Sequence, residues 1–238
     1  MANYFPTDDI HLNVSRGLVK DAEVVNIFGF NANVGTSFIP LWENNTSYTY
    51  PTSNLTMSAV SSNTSDVGVV CLIQGLDSNY DRVQTTFTVN GTSPVVITQP
   101  FFRINNVVTI NGNHVGQISI SNNGTTYAQI APGTGKYQAS IFTVPRGYEF
   151  FLYRIDAFSA TALSNKYVVF RNFAGNVTAN TTINVAETTF VNNMNIMRRF
   201  PFKYNEKTDI QFQAKSSSQT NEVGIFSEGV LIKKPIGP

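Results

Sequence analysis

The chain has 238 residues, 42% hydrophobic, 13% charged and 12% aromatic, with a single cysteine and a formal net charge of +1. A charged fraction well below the ordinary ~25% excludes a coiled coil, the hydrophobic fraction excludes a disordered chain, and near-neutrality argues against the basic footprint of a nucleic-acid binder. Asn, Thr and Ser instead make about 30% of the sequence, as on β-rich surfaces where amides and hydroxyls replace ions.

Residues 1–17 carry neither the basic nor the apolar region of a secretory signal, and no stretch approaches the ~18 apolar residues of a membrane span. The expectation is a protein made in a cytosol, soluble and without a membrane partner. Matches to Asn-x-Ser/Thr, as at Asn54, Asn90 and Asn180, then follow from composition alone. Residues 1–30 are expected to form an N-terminal arm, with Leu12 to Val25 the only stretch at helical spacing, short and poorly capped.

Residues 31–131 are expected to form a first β-sandwich. Trp42, Tyr48 and Tyr50 cluster in LWENNTSYTYP; such rings serve sugar-binding modules as stacking platforms. Alternate aromatics before a proline also fit strand-edge packing or a subunit contact, and they are taken as partner-interface candidates. Cys71, in the apolar run Val67–Ile73, reads as a buried small hydrophobe. Asp77-Ser78-Asn79-Tyr80-Asp81 has the oxygen spacing of a calcium loop, but Arg82 stands where a Gly is needed and Thr88 where a bidentate Glu is needed. A tight Asx turn between two strands fits better, and no metal is expected. Val83, Thr85, Phe87 and Val89 alternate with Gln84, Thr86 and Thr88, and Asn90-Gly91 predicts a type I′ turn. Similar strands end at Asn111-Gly112 and Asn122-Asn123-Gly124, with His114 expected as an exposed turn residue.

Ala131-Pro132-Gly133-Thr134-Gly135 is the best boundary, and residues 136–233 are expected to form a second sandwich. Ala139–Val144 and Tyr148–Phe158 flank the turn Pro145-Arg146-Gly147; the latter segment is apolar on both faces, as in a central strand. Further strands are Tyr167–Phe173, Thr182–Val191, Asp209–Ala214 and Val223–Ile232, the third with Ile210, Phe212 and Ala214 inward and Gln211 and Gln213 outward. Asn192–Tyr204 mixes Met194, Met197, Arg198, Arg199 and Phe200 without periodicity; these residue types are enriched at interfaces, making them partner-contact candidates. Together the segments predict an all-β chain of two tandem antiparallel β-sandwich, jelly-roll-like domains.

Catalytic chemistry is thin. Only His11 and His114 are present, no nucleophile elbow, P-loop or H-E-x-x-H occurs, and Glu149, Asp156, Glu187 and Asp209 stand singly. Neither an enzyme nor a cofactor is expected. A depolymerase with paired carboxylates is the weakest of the readings.

The order of segments resembles a family of virion structural proteins of marine tailed phages, including those of cyanobacteria. The resemblance is carried by Arg16-Gly17-Leu18-Val19, Asn26-Ile27-Phe28-Gly29-Phe30-Asn31, Leu41-Trp42-Glu43 with Tyr50-Pro51, and Gln74-Gly75-Leu76-Asp77-Ser78-Asn79-Tyr80 with Val89-Asn90-Gly91. It continues through Phe102-Arg103-Ile104, Phe142-Thr143-Val144-Pro145-Arg146-Gly147-Tyr148, and Glu206-Lys207-Thr208-Asp209-Ile210 before Ala214-Lys215-Ser216-Ser217. The chain departs from that pattern after Asp66, where the family carries a longer Gly- and Ala-rich insertion. The resemblance implies a non-enzymatic particle component assembled in the host cytoplasm. It would be a homo-oligomer or bind the major capsid protein or other virion proteins, most simply as a decoration or cement protein on the outer head. A neck, tail or fibre-associated receptor- or carbohydrate-binding module is the alternative.

Overall fold

Alternation of buried and exposed positions runs along most of the extended segments, and it is this period of two that the chain folds on. A computed structural model of the chain describes residues 10–160, 167–218 and 220–235. Its elements are α1 (Ile10–Ser15), β1 (Ala22–Val34), β2 (Ile39–Pro40), β3 (Leu55–Ser61), β4 (Val67–Leu76), β5 (Arg82–Asn90), β6 (Val95–Phe101), β7 (Arg103–Asn111), β8 (Ile118–Asn122), β9 (Thr125–Ile130), β10 (Ile141–Thr143), β11 (Tyr148–Ser159), β12 (Val168–Asn176), β13 (Thr181–Phe190), β14 (Asn193–Tyr204), β15 (Asp209–Ser216) and β16 (Asn221–Lys233). The protein is all-β and its strand pairs are antiparallel. Among the described residues no helix is long and apolar enough to cross a membrane.

Sheets β6-β3-β8-β9 and β5-β4-β7 enclose one core, built on Met57, Cys71, Ile73, Ile97, Phe101, Ile118 and Ile120. Sheets β1-β16-β11-β14 and β10-β15-β12-β13, the latter extended by β2 on β15, enclose a second, built on Phe150, Leu152, Val168, Ile210, Phe212 and Ile225. The two cores are not consecutive in sequence. β1 pairs with β16 from Ala22↔Ile232 to Val34↔Asn221, so the N- and C-terminal strands close one sandwich and the other is inserted between β2 and β10. The expected arm is therefore corrected from Ala22 onward; its residues 1–9 lie outside the described residues. Its fate follows from composition: Val24, Val25, Ile27, Phe28 and Phe30 give a segment apolar enough to be paired and packed.

Other expectations are corrected locally. Only Gly91 of Asn90-Gly91 takes a positive φ, so that turn is not type I′, whereas Asn123 (φ 46) and Gly124 (φ 80) form such a two-residue connection between β8 and β9. Gln211 and Gln213 are buried, not outward: Arg171 donates to Gln213 Oε1 at 2.7 Å and Gln213 pairs with Gln211. β11 is central in its sheet, as expected, and His11 of α1 sits edge-on to Tyr153 on its outer face.

Candidate functional site

Where the two sandwiches meet, the chain buries an ion pair. Arg103 begins β7 and Asp209 begins β15; their side chains are 1% and 0% exposed. Arg103 Nε and Nη2 donate to Asp209 Oδ1 and Oδ2 at 2.8 and 3.1 Å, Nη1 donates to the Pro51 and Phe102 carbonyls, and Nη2 also donates to Thr178 Oγ1. Every guanidinium N–H is thereby used. Asp209 accepts in addition from Thr143 Oγ1 at 2.7 Å and the Val177 N–H at 3.1 Å. Desolvation opposes the charge on Arg103, and the Asp209 carboxylate outweighs it, holding the guanidinium pKa above its ordinary value. β7 can come this close because residue 75 is glycine: a Cβ there would stand 2.0 Å from the Arg103 carbonyl oxygen. Asn105 donates to the Thr143 carbonyl and accepts from its N–H at 2.8 and 2.9 Å, and Arg146 grips Asp81 through two bonds of 2.9 and 2.7 Å. These bonds fasten one sandwich to the other.

The aromatic cluster belongs to this junction. Trp42 is 1% exposed, its Nε1 donating to the Thr46 carbonyl at 2.6 Å, with Tyr48 edge-on to it and to Tyr50. Tyr50 in turn lies 4.9 Å from the Arg103 guanidinium. Burial raises the pKa of the Tyr48 and Tyr50 hydroxyls above the ordinary phenol value. Trp42 is thus corrected from interface candidate to core residue, and the half-buried Tyr48 and Tyr50 are packed against the same core. The edge packing weighed for these rings is what the structure contains, but it is internal.

His114 is likewise corrected: it is 3% exposed, not at an open tip. Its Nε2 accepts from the Gly135 N–H at 3.2 Å, so the proton sits on Nδ1, which donates to the Gly116 carbonyl at 2.7 Å. The ring is a staple between two loops. Asp77 Oδ1 accepts from the Asn79 and Asp81 N–H groups at 2.8 and 3.0 Å, the expected Asx turn. Cys71 is fully buried, its thiol pushed up to about 12 by desolvation, which removes its nucleophilicity. Glu43, on the segment leading into the inserted sandwich, is 9% exposed and accepts from the Ala131 N–H at 2.9 Å; burial raises its pKa to about 7 against the smaller opposing effect of that bond. Among the described residues no group of three or more His, Cys, Asp or Glu side chains converges as a metal site would require.

The remaining candidates share one place. β14 is a free edge of its sheet, and its ladder to β11 runs Ile155↔Ile196, Arg154↔Met197, then Leu152↔Phe202. Arg198, Arg199, Phe200 and Pro201 therefore stand opposite Tyr153 alone, a wide bulge that throws the chain outward. Pro201 can sit there because an edge bulge needs no donor from it. Met197 and Phe200 are 73% and 75% exposed. Arg198 lies 3.8 Å from the Phe202 ring and donates to the Phe200 carbonyl at 3.1 Å, while Arg199 faces the Phe200 ring at 5.9 Å. Among the described residues neither arginine has an ion-pair partner. Met194 points partly inward and packs on the core instead. Ile183 of β13 and Val191, in the connection from β13 to β14, are exposed too. The sequence supplied the residues but not the strand: Met194, Ile196, Phe202 and Tyr204 do alternate, a signal hidden by the aperiodic stretch between them.

No family model matches the chain, and no curated protein matches it in sequence. Among solved structures it is similar to a chain in the structure of infectious bursal disease virus, Gx strain, at a TM-score of 0.28 with 10% identity, covering 90% of this chain and 71% of that one. The Gt strain gives 0.23 with 11% identity, covering 90% and 73%. Likeness at that level carries no argument, and the functional reading rests on the residues.

Proposed function

We propose that this chain is a non-enzymatic structural component of a virion that works by contact. In the sharper form of the reading it is a decoration or cement protein on the outer surface of a phage head. The observation that carries it is the β14 bulge, where Met197 and Phe200 stand exposed beside Arg198 and Arg199, which have no ion-pair partner among the described residues. Apolar area flanked by unpaired guanidinium groups is left solvated at a cost unless a partner covers it, and Met, Phe and Arg are the residue types that interfaces enrich. A stable contact needs roughly 800 Å² per partner, so the exposed β13 edge with Ile183 and Val191 would extend it. The segment order, which resembles that of phage virion proteins, agrees with the same reading, as does a junction closed by buried hydrogen bonds. A second copy of the chain or the major capsid protein would be the partner.

The test is the copy number of this chain relative to the major capsid protein in purified particles. Comparable numbers support a shell protein. A few copies per particle would place it at the neck, tail or a fibre, and absence from particles would overturn the reading.

A further inference from the structure

A cleft of about 690 Å³ separates β1 of one sandwich from the outward face of β5-β4-β7 of the other. One wall is formed by Val24, Asn26 and Phe28. The opposite wall carries three amides in one row across three strands, since Gln74 is in register with both Gln84 and Asn106. They are chained: Asn106 Nδ2 donates to Gln74 Oε1 at 3.0 Å, and Gln74 Nε2 donates to Gln84 Oε1 at 3.1 Å. The chain of bonds orders the three lining amides and leaves Asn106 Oδ1 as an acceptor at one end and Gln84 Nε2 as a donor at the other. Reversing every amide only exchanges the two ends. Across the mouth Glu23 and Arg82 neutralise each other at 2.9 Å. Lys136, half-buried in the lining, is a cation that among the described residues has no ion pair.

We propose that this cleft is a saccharide site, taking a short oligosaccharide whose hydroxyls pair with the Gln84, Gln74 and Asn106 row while a sugar ring lies on Phe28. Its volume falls within the ~300–1,000 Å³ of ligand sites. A hydroxyl is donor and acceptor at once, which suits a row ending in one of each. An apolar ligand would bury these amides unpaired, at about 1–3 kcal/mol for each group. A phosphate-rich ligand would meet one unpaired cation where such sites cluster several. A peptide strand would have to pair with β1, an edge of its sheet, and would leave the amide row of the facing wall unused. Lys136 then faces a ring substituent that is polar or acidic. The site is separate from the β14 bulge and does not depend on the virion reading.

The experiment is titration of the full-length chain, followed by amide NMR, with maltotriose, triacetylchitotriose and trigalacturonic acid, and with an alanine-rich hexapeptide as a peptide control. Saturable shifts confined to the cleft with at least one sugar are expected, trigalacturonic acid separating an acidic from a neutral preference. Gln84→Ala and Asn26→Trp, both at exposed positions on opposite walls, should each weaken that binding at least tenfold with the rest of the spectrum unchanged. No saturable titration by any of the sugars, binding that survives both substitutions, or saturation by the hexapeptide alone would overturn the proposal.

Discussion

Arg103 and the Arg198–Arg199 pair are the same residue type put to opposite uses. Arg103 is sealed between the sandwiches with every N–H satisfied and a carboxylate against it, whereas Arg198 and Arg199 are carried out on a bulge with aromatic rings beside them and, among the described residues, no ion-pair partner. The first charge is consumed in making two sandwiches one body. The second pair touches only its own strand, through the Phe200 carbonyl and the Phe200 and Phe202 rings. Comparing them separates what the chain needs in order to fold from what it holds ready for a neighbour.

The contrast breaks most sharply at Arg103. Replacing it with Met leaves Asp209 buried without its partner, and the loss should be about 3–5 kcal/mol in urea unfolding. Removing both charges, with Asp209→Leu added, should recover most of that, because well-packed apolar residues often match a buried pair. No recovery would mean that the Thr143 and Val177 bonds to Asp209, not the pairing itself, fasten the junction.

Glu43 sharpens the same side of the comparison. Its folded pKa of about 7 lies above the ordinary carboxyl value of 4.5, so the folded state holds the proton more tightly than the unfolded one. Stability is then fully present below pH 4.5, falls as pH rises from there to about 7, and stays low above it, by roughly 3 kcal/mol. Glu43→Gln should flatten that dependence and raise the thermal midpoint at pH 8. An unchanged pH profile would assign the slope to another group. The exposed Arg146–Asp81 pair is a smaller matter: Arg146→Ala should cost about 0.2–1 kcal/mol, less at high salt.

How much of this the sequence held depends on the residue. Val83 to Val89 alternates so cleanly that its strand and inward face are readable at once, and Asp77 to Asp81 declares its turn through a carboxylate two residues before the first N–H it caps. Trp42 and His114 are unreadable for one reason: their burial comes from segments far along the chain, Ala139 paired with Trp42 and Gly135 donating to His114. β1 escaped because its partner strand is at the other end of the sequence. The Arg103–Asp209 pair spans the two sandwiches and carries no local pattern. The bulge residues, by contrast, are singled out in the sequence by type alone; the structure adds that Met197 and Phe200 stand exposed at one edge bulge.

The smallest expected effect on stability is also the most telling for function. The quadruple variant Met197→Ser, Arg198→Ala, Arg199→Ala, Phe200→Ser should unfold close to the wild type, since each exposed position contributes within about 0.5 kcal/mol. Co-sedimentation of wild-type and variant chains with particles lacking the protein tests the account directly. Saturable binding by the wild type, lost in the folded variant, is the predicted result. Equal binding by both, or no binding by the wild type, would contradict it.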